Sequence, residues 1–460
     1  MSTEKAKKFQ LDAARVAFDE KHRKTIRFNM GKYYAAVAKG KARYESFEAT
    51  RDKAAAIKRH TLEHLSEYLQ QFEKNFTANG GTVLWARTAD DAIAYITKIF
   101  QENNVKSIVK SKSMTTEEIE LNENLKKIGV ESVETDLGEY IVQLAGEKPY
   151  HIVTPAMHKS KADVAELFNK HFGFPLESSA EEMTMLARAK LREKYLAADA
   201  GITGANFIVA DKGAIAVTEN EGNALMSTSF PKIQIAIAGI EKIIPSFKDL
   251  GLFWPHLAQN GTGQPITAYS SVFSGPKKDS ESHGPEKMYV ILLDNGRTKI
   301  YKQDTFRVAL SCIRCGACLN ACPIYKNIGG YTYDTTYQGP IGTVISPHLK
   351  GFDQLSHLCT ACSLCANCAS VCPVKMPLND LILENRKLAV EGGYFSSLEK
   401  PIVGGFTFFT KSAGRMDCVG GGMKNLAAKC LGKNVWGSKR KFPKFAKKSF
   451  RKLRYWQQQK

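Results

Sequence analysis

The chain has 460 residues, of which 43% are hydrophobic, and it carries a formal net charge of +19. The length suggests about three domains, and the hydrophobic content excludes a disordered chain. No stretch approaches the ~20 uninterrupted apolar residues of a membrane span, and the charged first 27 residues lack the apolar core of a signal peptide.

The positive charge is concentrated at the two ends of the chain. Residues 1–60 hold 16 Lys or Arg against 7 Asp or Glu, and residues 433–460 hold 11 Lys or Arg and no acid. The 372 residues between them have a net charge of −1. Basic ends dock an acidic protein or an anionic membrane surface, or they remain solvated arms. Nucleic acid is an unlikely partner because no recognised binding motif accompanies the charge.

The elements predicted along the chain divide it into four regions. Residues 1–60 are charged and Ala-rich and predict a basic helical N-terminal arm. Between residues 61 and 300 short apolar strands alternate with helices, and this alternation predicts an α/β domain with a largely parallel sheet covered by helices on both faces. Ser179 caps a long helix that we expect to end at Gly201. The predicted strands are Thr82–Ala86, Ser107–Lys110, Val130–Val133, His151–Thr154, Asn206–Ala210, Ala214–Thr218, Lys232–Ala238 and Met288–Asp294.

Nine of the eleven cysteines lie from Cys312 to Cys372, and eight of them form two runs that each end in Cys-Pro. Both runs have the C-x2-C-x2-C-x3-C-P spacing of bacterial-type ferredoxins, in which four thiolates hold a [4Fe-4S] cluster. We therefore expect two [4Fe-4S] clusters as cofactors. The first run contains Cys312, Cys315, Cys318 and Cys322, and the second contains Cys362, Cys365, Cys368 and Cys372.

The spacing also predicts which cysteines share a cluster. Three cysteines at i, i+3 and i+6 each reach one corner iron, and in two-cluster ferredoxins the last cysteine of each run ligates the other cluster. This crossing would bring the two clusters close together, as electron transfer requires. The predicted ligand sets are Cys312, Cys315, Cys318 and Cys372 for one cluster, and Cys362, Cys365, Cys368 and Cys322 for the other.

Zinc is the main alternative for these cysteines, because structural zinc sites usually show two C-x2-4-C pairs separated by a longer gap. Two runs of four that each end in proline favour iron-sulfur clusters over zinc or disulfides.

Cys359 precedes the second run by three residues, and we interpret it as a bystander or backup ligand. Cys418 and Cys430 stand apart and are predicted to be small buried hydrophobic residues. Thiolate-bound clusters and the missing export signal point to the cytoplasm, with peripheral binding to the inner face of the membrane as an alternative.

The remaining C-terminal sequence predicts two regions. After Cys372 a helical stripe runs from Leu378 to Ala389 and stops at Gly392, which favours a mainly α-helical two-cluster ferredoxin domain over residues 301–395. Residues 396–460 form a Gly-rich segment and a basic aromatic tail, which contains Trp436, Phe442, Phe445, Phe450, Tyr455 and Trp456. Such a tail suits an acidic groove or a membrane surface.

Several motifs in this order resemble the LutB family, the iron-sulfur subunits of bacterial L-lactate utilisation. The resemblance implies a LUD domain, related to the NagB/RpiA/CoA-transferase-like fold, followed by a helical two-cluster ferredoxin domain. It also implies a LutA-like and a LutC-like partner subunit and a system that oxidises L-lactate to pyruvate. The motifs are Lys110–Met114, Thr154–His158, Gly201–Asn206, Asn220–Asn223, Leu293–Gly296, Cys312–Cys318 and Gly339–Gly342.

Oxidation of a 2-hydroxy acid needs a cation for the carboxylate, a base for the hydroxyl proton and an electron acceptor. Polar residues after the predicted strands supply candidates, although each of them also has an ordinary structural explanation as a turn, cap or ion-pair residue. No G-x-G-x-x-G or Walker A sequence occurs, so we expect the first acceptor on a partner. The candidates are Lys110 and Lys112 as cations, Thr203 and Asn206 as donors, and His158, Glu219 or Glu221 as base.

The function favoured by the sequence is therefore that of an iron-sulfur electron-transfer subunit, a component of an L-lactate dehydrogenase-type oxidoreductase. Two alternatives stay open at this point. One is a LUD-domain enzyme that acts alone on an anionic acyl or sugar-phosphate substrate, with clusters that only support the fold. The other is an iron-sulfur nucleic-acid-binding protein, and this hypothesis predicts nucleic-acid binding that depends steeply on salt.

Overall fold

The computed structural model describes residues 4–394, 399–436, 443–451 and 453–454. The chain divides into two compact units, one covering Thr3–Glu391 and the other Met1–Ser2 with Gly392–Lys460. Within the described ranges no helix has the length and apolar content that crossing a bilayer demands.

Four helices form the first part of the larger unit. Asp19 begins the second of them by accepting a hydrogen bond from the His22 N–H at 3.0 Å. Ile26, Met30 and Ala54 are fully buried in the main core. The region predicted as a basic arm at residues 1–60 is thus helical, but from Glu4 onward it is packed rather than free, because its apolar side chains complete that core. The helices are α1 (Glu4–Val16), α2 (Glu20–Lys41), α3 (Phe47–Glu63) and α4 (Leu65–Ala78).

Ten strands in the described part of the chain form two sheets. Six strands make a parallel sheet in the order β1-β10-β7-β4-β2-β3, and the other four make a smaller mixed sheet in the order β8-β5-β6-β9. The predicted α/β fold with a largely parallel sheet is confirmed. The strands are β1 (Thr82–Ala86), β2 (Ser107–Lys110), β3 (Glu131–Glu134), β4 (Ala200–Gly204), β5 (Phe207–Val209), β6 (Ala214–Glu219), β7 (Ile233–Gly239), β8 (Ile243–Ile244), β9 (Tyr269–Phe273) and β10 (Lys287–Leu293).

Helices cover both faces of the parallel sheet, as β10 shows, because its successive side chains pack against helices on opposite faces. Ile291 and Leu293 pack into one hydrophobic cluster with the helix Ala89–Glu102, whereas Val290 and Leu292 pack into another with α4. Such a strand is buried on both sides, which explains its continuous apolar sequence. The helices of this part are α5 (Ala89–Glu102), α6 (Met114–Glu118), α7 (Leu121–Lys127), α8 (Leu137–Leu144), α9 (Lys161–Phe172), α10 (Ala180–Ala197), α11 (Asn223–Ser229) and α12 (Leu250–Gly261).

Two local predictions in this region were wrong. His151–Thr154 is not a strand: it is a turn in which the His151 Nδ1 accepts hydrogen bonds from the N–H groups of Val153 and Thr154 at 3.1 and 3.3 Å. Gly201 does not end a helix, because α10 stops at Ala197 and Gly201 lies inside β4. A Cβ at Gly201 would stand 1.8 Å from the Ser227 carbonyl oxygen, so glycine is required for α11 to approach the strand.

Short helices surround the two cysteine runs, as the sequence predicted. The last helix of this region, which ends at Glu391, buries one face that contains Leu378, Leu381, Ile382 and Ala389. The helices are α13 (Arg297–Tyr301), α14 (Asp304–Arg307), α15 (Ala317–Ala321), α16 (Pro323–Ile328), α17 (Gly339–Lys350), α18 (Phe352–Leu355), α19 (Asn367–Ser370) and α20 (Leu378–Glu391).

The described residues of the smaller unit include three further helices, α21 (Glu399–Thr410), α22 (Ala413–Asp417) and α23 (Gly421–Trp436). Phe406, Phe408 and Phe409 of α21 are exposed to 69%, 54% and 43%. The tail residues Phe442, Tyr455 and Trp456, which the sequence analysis singled out, lie outside the described residues.

Candidate functional site

Four cysteines from both runs surround one small apolar cavity. Its walls contain Cys312, Cys315 and Cys318 of the first run together with Cys372, the last cysteine of the second run. Arg314 and apolar side chains, among them Ile341 of α17, complete the wall. The structure thus brings together the cysteines of the first predicted ligand set.

The other four cysteines form a second group. Burial raises the pKa of the Cys322 thiol, and the neighbouring Cys362 and Cys365 raise it further. Burial, followed by Cys322 and Cys362, also raises the pKa of Cys368 to about 12. Cys322 of the first run is therefore a neighbour of three cysteines of the second run. These four are the members of the second predicted ligand set.

The thiol chemistry of both groups fits an iron-sulfur cluster. Burial raises the pKa of Cys318 well above its ordinary value, and Cys312, Cys315 and Cys372 raise it further. Four buried thiolates cannot remain together unless a cation compensates their charge. A metal site supplies that compensation and deprotonates its thiol ligands.

The two runs have the same backbone conformation at equivalent positions. Arg314 and Leu364, each two residues after the first cysteine of its run, have φ angles of 61° and 57°. Gly316 and Ala366, each four residues after it, have φ angles of 78° and 60°. Non-glycine residues seldom adopt this left-handed conformation, so its recurrence in both loops indicates a shared geometric requirement of the ligand loops.

Two arginines fix the loops from outside the cysteine runs. Arg51 of α3 donates hydrogen bonds to the Cys372 carbonyl from Nε at 3.0 Å and from Nη2 at 2.7 Å. Arg386 of α20 donates from Nε to the Cys359 carbonyl at 2.8 Å and also bonds the Cys362 carbonyl. The first of these contacts links a helix of the N-terminal region to the second cysteine run.

The remaining cysteines differ from the two groups. Cys359 is fully buried, and its thiol donates to the Ser356 carbonyl at 2.7 Å. Cys418 is exposed, so the prediction that it is buried was wrong. The Cys430 side chain is outside the described residues.

A larger cavity of about 380 Å³ lies where strands of the parallel sheet end. Lys112 follows β2, Asp136 follows β3, Asn206 follows β4 and Lys242 follows β7, and all four line the cavity. The carboxyl ends of parallel strands are the usual location of ligands in α/β folds. Arg314 and Cys315 of the first cysteine run also line this cavity. The cavity therefore extends from the α/β part to the first group of cysteines.

Two cations in the cavity wall were missed by the sequence analysis. Lys242 is only 8% exposed and has no hydrogen-bond or ion-pair partner among the described residues. Burial, followed by the charge of Arg314, lowers its pKa to about 7. Arg314 donates from Nη2 to Glu241 at 3.2 Å, but its buried Nη1 has no partner within the same part of the chain. Neither residue belongs to a sequence motif that indicates anion binding. The two side chains come together only in the folded chain.

The predicted candidates Lys112, Asn206, Glu219 and Glu221 all line the cavity. Lys112 donates to the Val153 carbonyl at 2.5 Å, and Glu219 accepts from the N–H groups of Ala224 and Leu225 at 2.6 and 2.9 Å. Burial is the larger cause, and Asp136 the second, of a rise in the pKa of Glu221 to about 7. A carboxyl group with a pKa in this range is suited to accept a proton near neutral pH.

Three other candidates, Lys110, Thr203 and His158, do not line the cavity. Lys110 is fully buried and bonded to acidic side chains, with its Nζ 2.9 Å from a Glu134 oxygen. Thr203 is buried against Gln234, and His158 pairs with Glu147 at 2.7 Å.

A buried network positions Arg314 against the α/β part. Glu241 accepts from Arg297 Nε at 2.6 Å and from Arg314 Nη2 at 3.2 Å. Arg297 Nη2 also donates to the Glu118 carboxylate at 2.8 Å, and the Tyr337 hydroxyl donates to the Glu118 carboxylate at 2.5 Å. The Arg314 guanidinium lies 4.4 Å from the Tyr337 ring centre. The Arg314 side chain is thus held on two sides.

Comparison with known proteins covers the same two parts of the chain. Residues 69–293 match the LUD domain family, and residues 308–376 match the 4Fe-4S dicluster domain family. The latter match confirms the prediction of two [4Fe-4S] clusters.

Named relatives extend this similarity to most of the chain. "Lactate utilization protein B" of Bacillus pumilus is 46% identical over 75% of this chain and 73% of its own length. The protein of the same name from Bacillus subtilis is 45% identical over 75% of this chain and 72% of its own length. "Uncharacterized electron transport protein YkgF" from Escherichia coli is 42% identical over 80% of this chain and 77% of its own length.

Proposed function

The chain belongs to the lactate utilization protein B family, and on this premise we propose that it is the iron-sulfur electron-transfer subunit of a system that oxidises L-lactate to pyruvate. The observation that carries the proposal is the grouping of eight cysteines from two runs into two mixed sets of four. In this proposal Cys312, Cys315, Cys318 and Cys372 hold one cluster. Cys322, Cys362, Cys365 and Cys368 hold the other.

Each cluster, when bound, accepts and releases single electrons. The protein supplies the thiolates, a shell of apolar side chains and backbone N–H groups directed at sulfur. The Leu364 N–H lies 3.3 Å from Cys362 Sγ, and the Tyr325 N–H lies 3.5 Å from Cys322 Sγ. Hydrogen bonds to the ligand sulfurs and solvent exclusion are the means by which a protein sets a cluster potential.

The two ligand sets are close along the chain. Cys318 and Cys322 belong to different sets and are separated by one turn of helix, about 6 Å along the axis. Their connection through α15 supports the proposal that the two sets lie side by side. This arrangement suits an electron relay.

We further propose that the first electron acceptor lies on a partner, because lactate oxidation releases two electrons and this chain has no dinucleotide-binding sequence. The resemblance to known systems suggests a LutA-like and a LutC-like subunit. The basic segment at residues 433–460 is suited to an acidic surface of such a subunit or to the anionic inner face of the membrane. Thiolate ligands favour the reducing environment of the cytoplasm.

The proposal is tested by purifying the chain anaerobically and adding L-lactate with and without the LutA-like and LutC-like subunits. Loss of visible absorption and the appearance of a reduced-cluster electron paramagnetic resonance signal report electron arrival. We expect reduction when the partners are present and none with D-lactate as the control. A chain that contains both clusters but is never reduced by L-lactate, even with both partners, would refute the proposal.

A further inference from the structure

The larger cavity has unused hydrogen-bond donors in its wall. Its carboxylates are already engaged: Glu219 accepts two backbone N–H groups, Glu221 accepts the Leu137 N–H at 2.8 Å, and Asp136 lies 3.9 Å from Lys112. Lys242, which is 8% exposed, has no hydrogen-bond or ion-pair partner among the described residues. The buried Arg314 Nη1 also has none in that part of the chain, although Arg314 Nη2 is paired with Glu241. A buried ammonium group without a counter-ion is costly, which indicates that an anion in the cavity completes it.

Arg314 is not required by the loop in which it lies. The equivalent position of the second run is Leu364, which adopts the same left-handed conformation with φ of 57° against 61°. A leucine therefore satisfies the backbone geometry of a ligand loop in this same chain. The guanidinium at position 314 therefore serves contacts beyond the loop: it pairs with Glu241, and its side chain, which is 11% exposed, lines the cavity.

The rest of the wall distinguishes between classes of anion. Asp136, Glu219 and Glu221 line the same cavity, and their negative charge would repel a phosphate dianion more strongly than a carboxylate monoanion. The Asn206 Oδ1 accepts the Thr218 N–H at 2.9 Å, whereas its amide NH₂ has no partner in the described part of the chain. That NH₂ group is a donor for a hydroxyl or carbonyl oxygen next to the carboxylate.

We propose that this cavity is a binding site for a small 2-hydroxy or 2-oxo carboxylate, with Arg314 and Lys242 as the carboxylate anchors and Asn206 as donor to the neighbouring oxygen. The choice of a 2-hydroxy or 2-oxo acid rests on the proposed function, whereas the anion site rests on the two cations. Because Cys315 lies in the same wall, the bound acid is next to the first set of cluster ligands. Arg314 thus belongs both to a ligand loop and to a substrate site.

Isothermal titration calorimetry on the anaerobic, cluster-containing chain tests the proposal, with pyruvate as the ligand because it binds without turnover. We expect one pyruvate per chain, weaker binding of inorganic phosphate and no binding of the neutral analogue lactamide. Arg314→Leu, which copies the second run, and Lys242→Met should each weaken pyruvate binding by about tenfold or more, the usual effect of removing a hydrogen bond to a charged group. Iron content should stay at the wild-type value in Arg314→Leu.

A matched control is Lys248→Met, which removes an exposed lysine six residues further along the chain and should leave pyruvate binding unchanged. Wild-type affinity for pyruvate in both cavity variants, or the absence of pyruvate binding to the wild-type chain, would overturn the proposal. Tighter binding of phosphate than of pyruvate would overturn the carboxylate assignment. If L-lactate reduces the wild-type chain through its partners but pyruvate does not bind as expected, the electron-transfer function is retained and only the assignment of the cavity is wrong.

Discussion

Lys110 is the last residue of β2 and Lys112 lies two residues further along the chain, but their surroundings differ. Lys110 Nζ is fully buried and lies 2.9 Å from Glu134, 3.5 Å from Glu117 and 3.8 Å from Glu139. Lys112 lines the cavity, donates to the Val153 carbonyl at 2.5 Å and lies 3.9 Å from Asp136. Of these two sequence-predicted cations, Lys110 neutralises a buried acidic cluster, whereas Lys112 lines the cavity.

Replacement of Lys110 by methionine should lower the free energy of unfolding by about 3–5 kcal/mol, because it leaves buried carboxylates without their cation. Lys194→Met is the control, since its 2.6 Å pair with Glu131 is about half exposed and should contribute ~0–1 kcal/mol. Urea unfolding followed by circular dichroism under anaerobic conditions measures both values. Equal effects of the two substitutions would contradict the structural role given to Lys110.

Glu221 should make stability depend on pH. Burial, followed by Asp136, raises its pKa to about 7, with Glu219 and Lys112 also facing it. The folded chain therefore keeps a proton that the unfolded chain releases near pH 4.3, so stability falls as the pH rises between these two values. The stability of Glu221→Gln relative to wild type should accordingly increase between about pH 5 and pH 8. A flat result for Glu221→Gln would contradict the assigned environment.

At the scale of elements, α3 connects the N-terminal region to the second cysteine run. Arg51 is 8% exposed and bonds the Cys372 carbonyl through two nitrogens. Arg51→Ala should release this loop and accelerate loss of iron in air, whereas Arg59→Ala at an exposed position of the same helix should not. Iron release timed with a ferrous chelator measures the difference. Equal rates in the two variants would show that α3 does not hold the loop.

The two runs complete each other's ligand sets, and single substitutions test the crossing. Cys372→Ser removes the last cysteine of the second run but should damage the cluster held by Cys312, Cys315 and Cys318. Cys359→Ser should retain both clusters, because that thiol already donates to the Ser356 carbonyl. Electron paramagnetic resonance of the Cys372→Ser and Cys368→Ser variants should show different surviving signals. The same surviving signal in both would contradict the crossed assignment.

Elements with a local sequence signal were predicted well. Thr82–Ala86 and Ser107–Lys110 have the predicted bounds because each is a short apolar run between turn residues. His151–Thr154 is equally apolar at Ile152 and Val153, but the His151 ring bonds the backbone and forms a turn. Local sequence signals could not identify Lys242 and Arg314 as members of one site, since they are 72 positions apart and come together only when the chain folds.

At the scale of the whole larger unit, the α/β part and the cysteine runs are joined by buried charge. Glu118, Glu241 and Arg297 from the α/β part meet Arg314 and Tyr337 from the cysteine part. Burial is the largest influence on the Glu241 carboxyl, yet Arg297 and Arg314 reverse it and lower its pKa to about 2. The ion network therefore persists at neutral pH. It fixes the cavity relative to the first ligand set.

The central claim is that eight thiolates of this chain hold two [4Fe-4S] clusters close together. Iron and acid-labile sulfide analysis of the anaerobically purified chain, combined with electron paramagnetic resonance after reduction, tests it most directly. The predicted result is about eight irons and eight sulfides per chain, with signals broadened by magnetic interaction between two reduced clusters. Stoichiometric zinc in place of iron, or two reduced clusters whose signals do not interact, would contradict it.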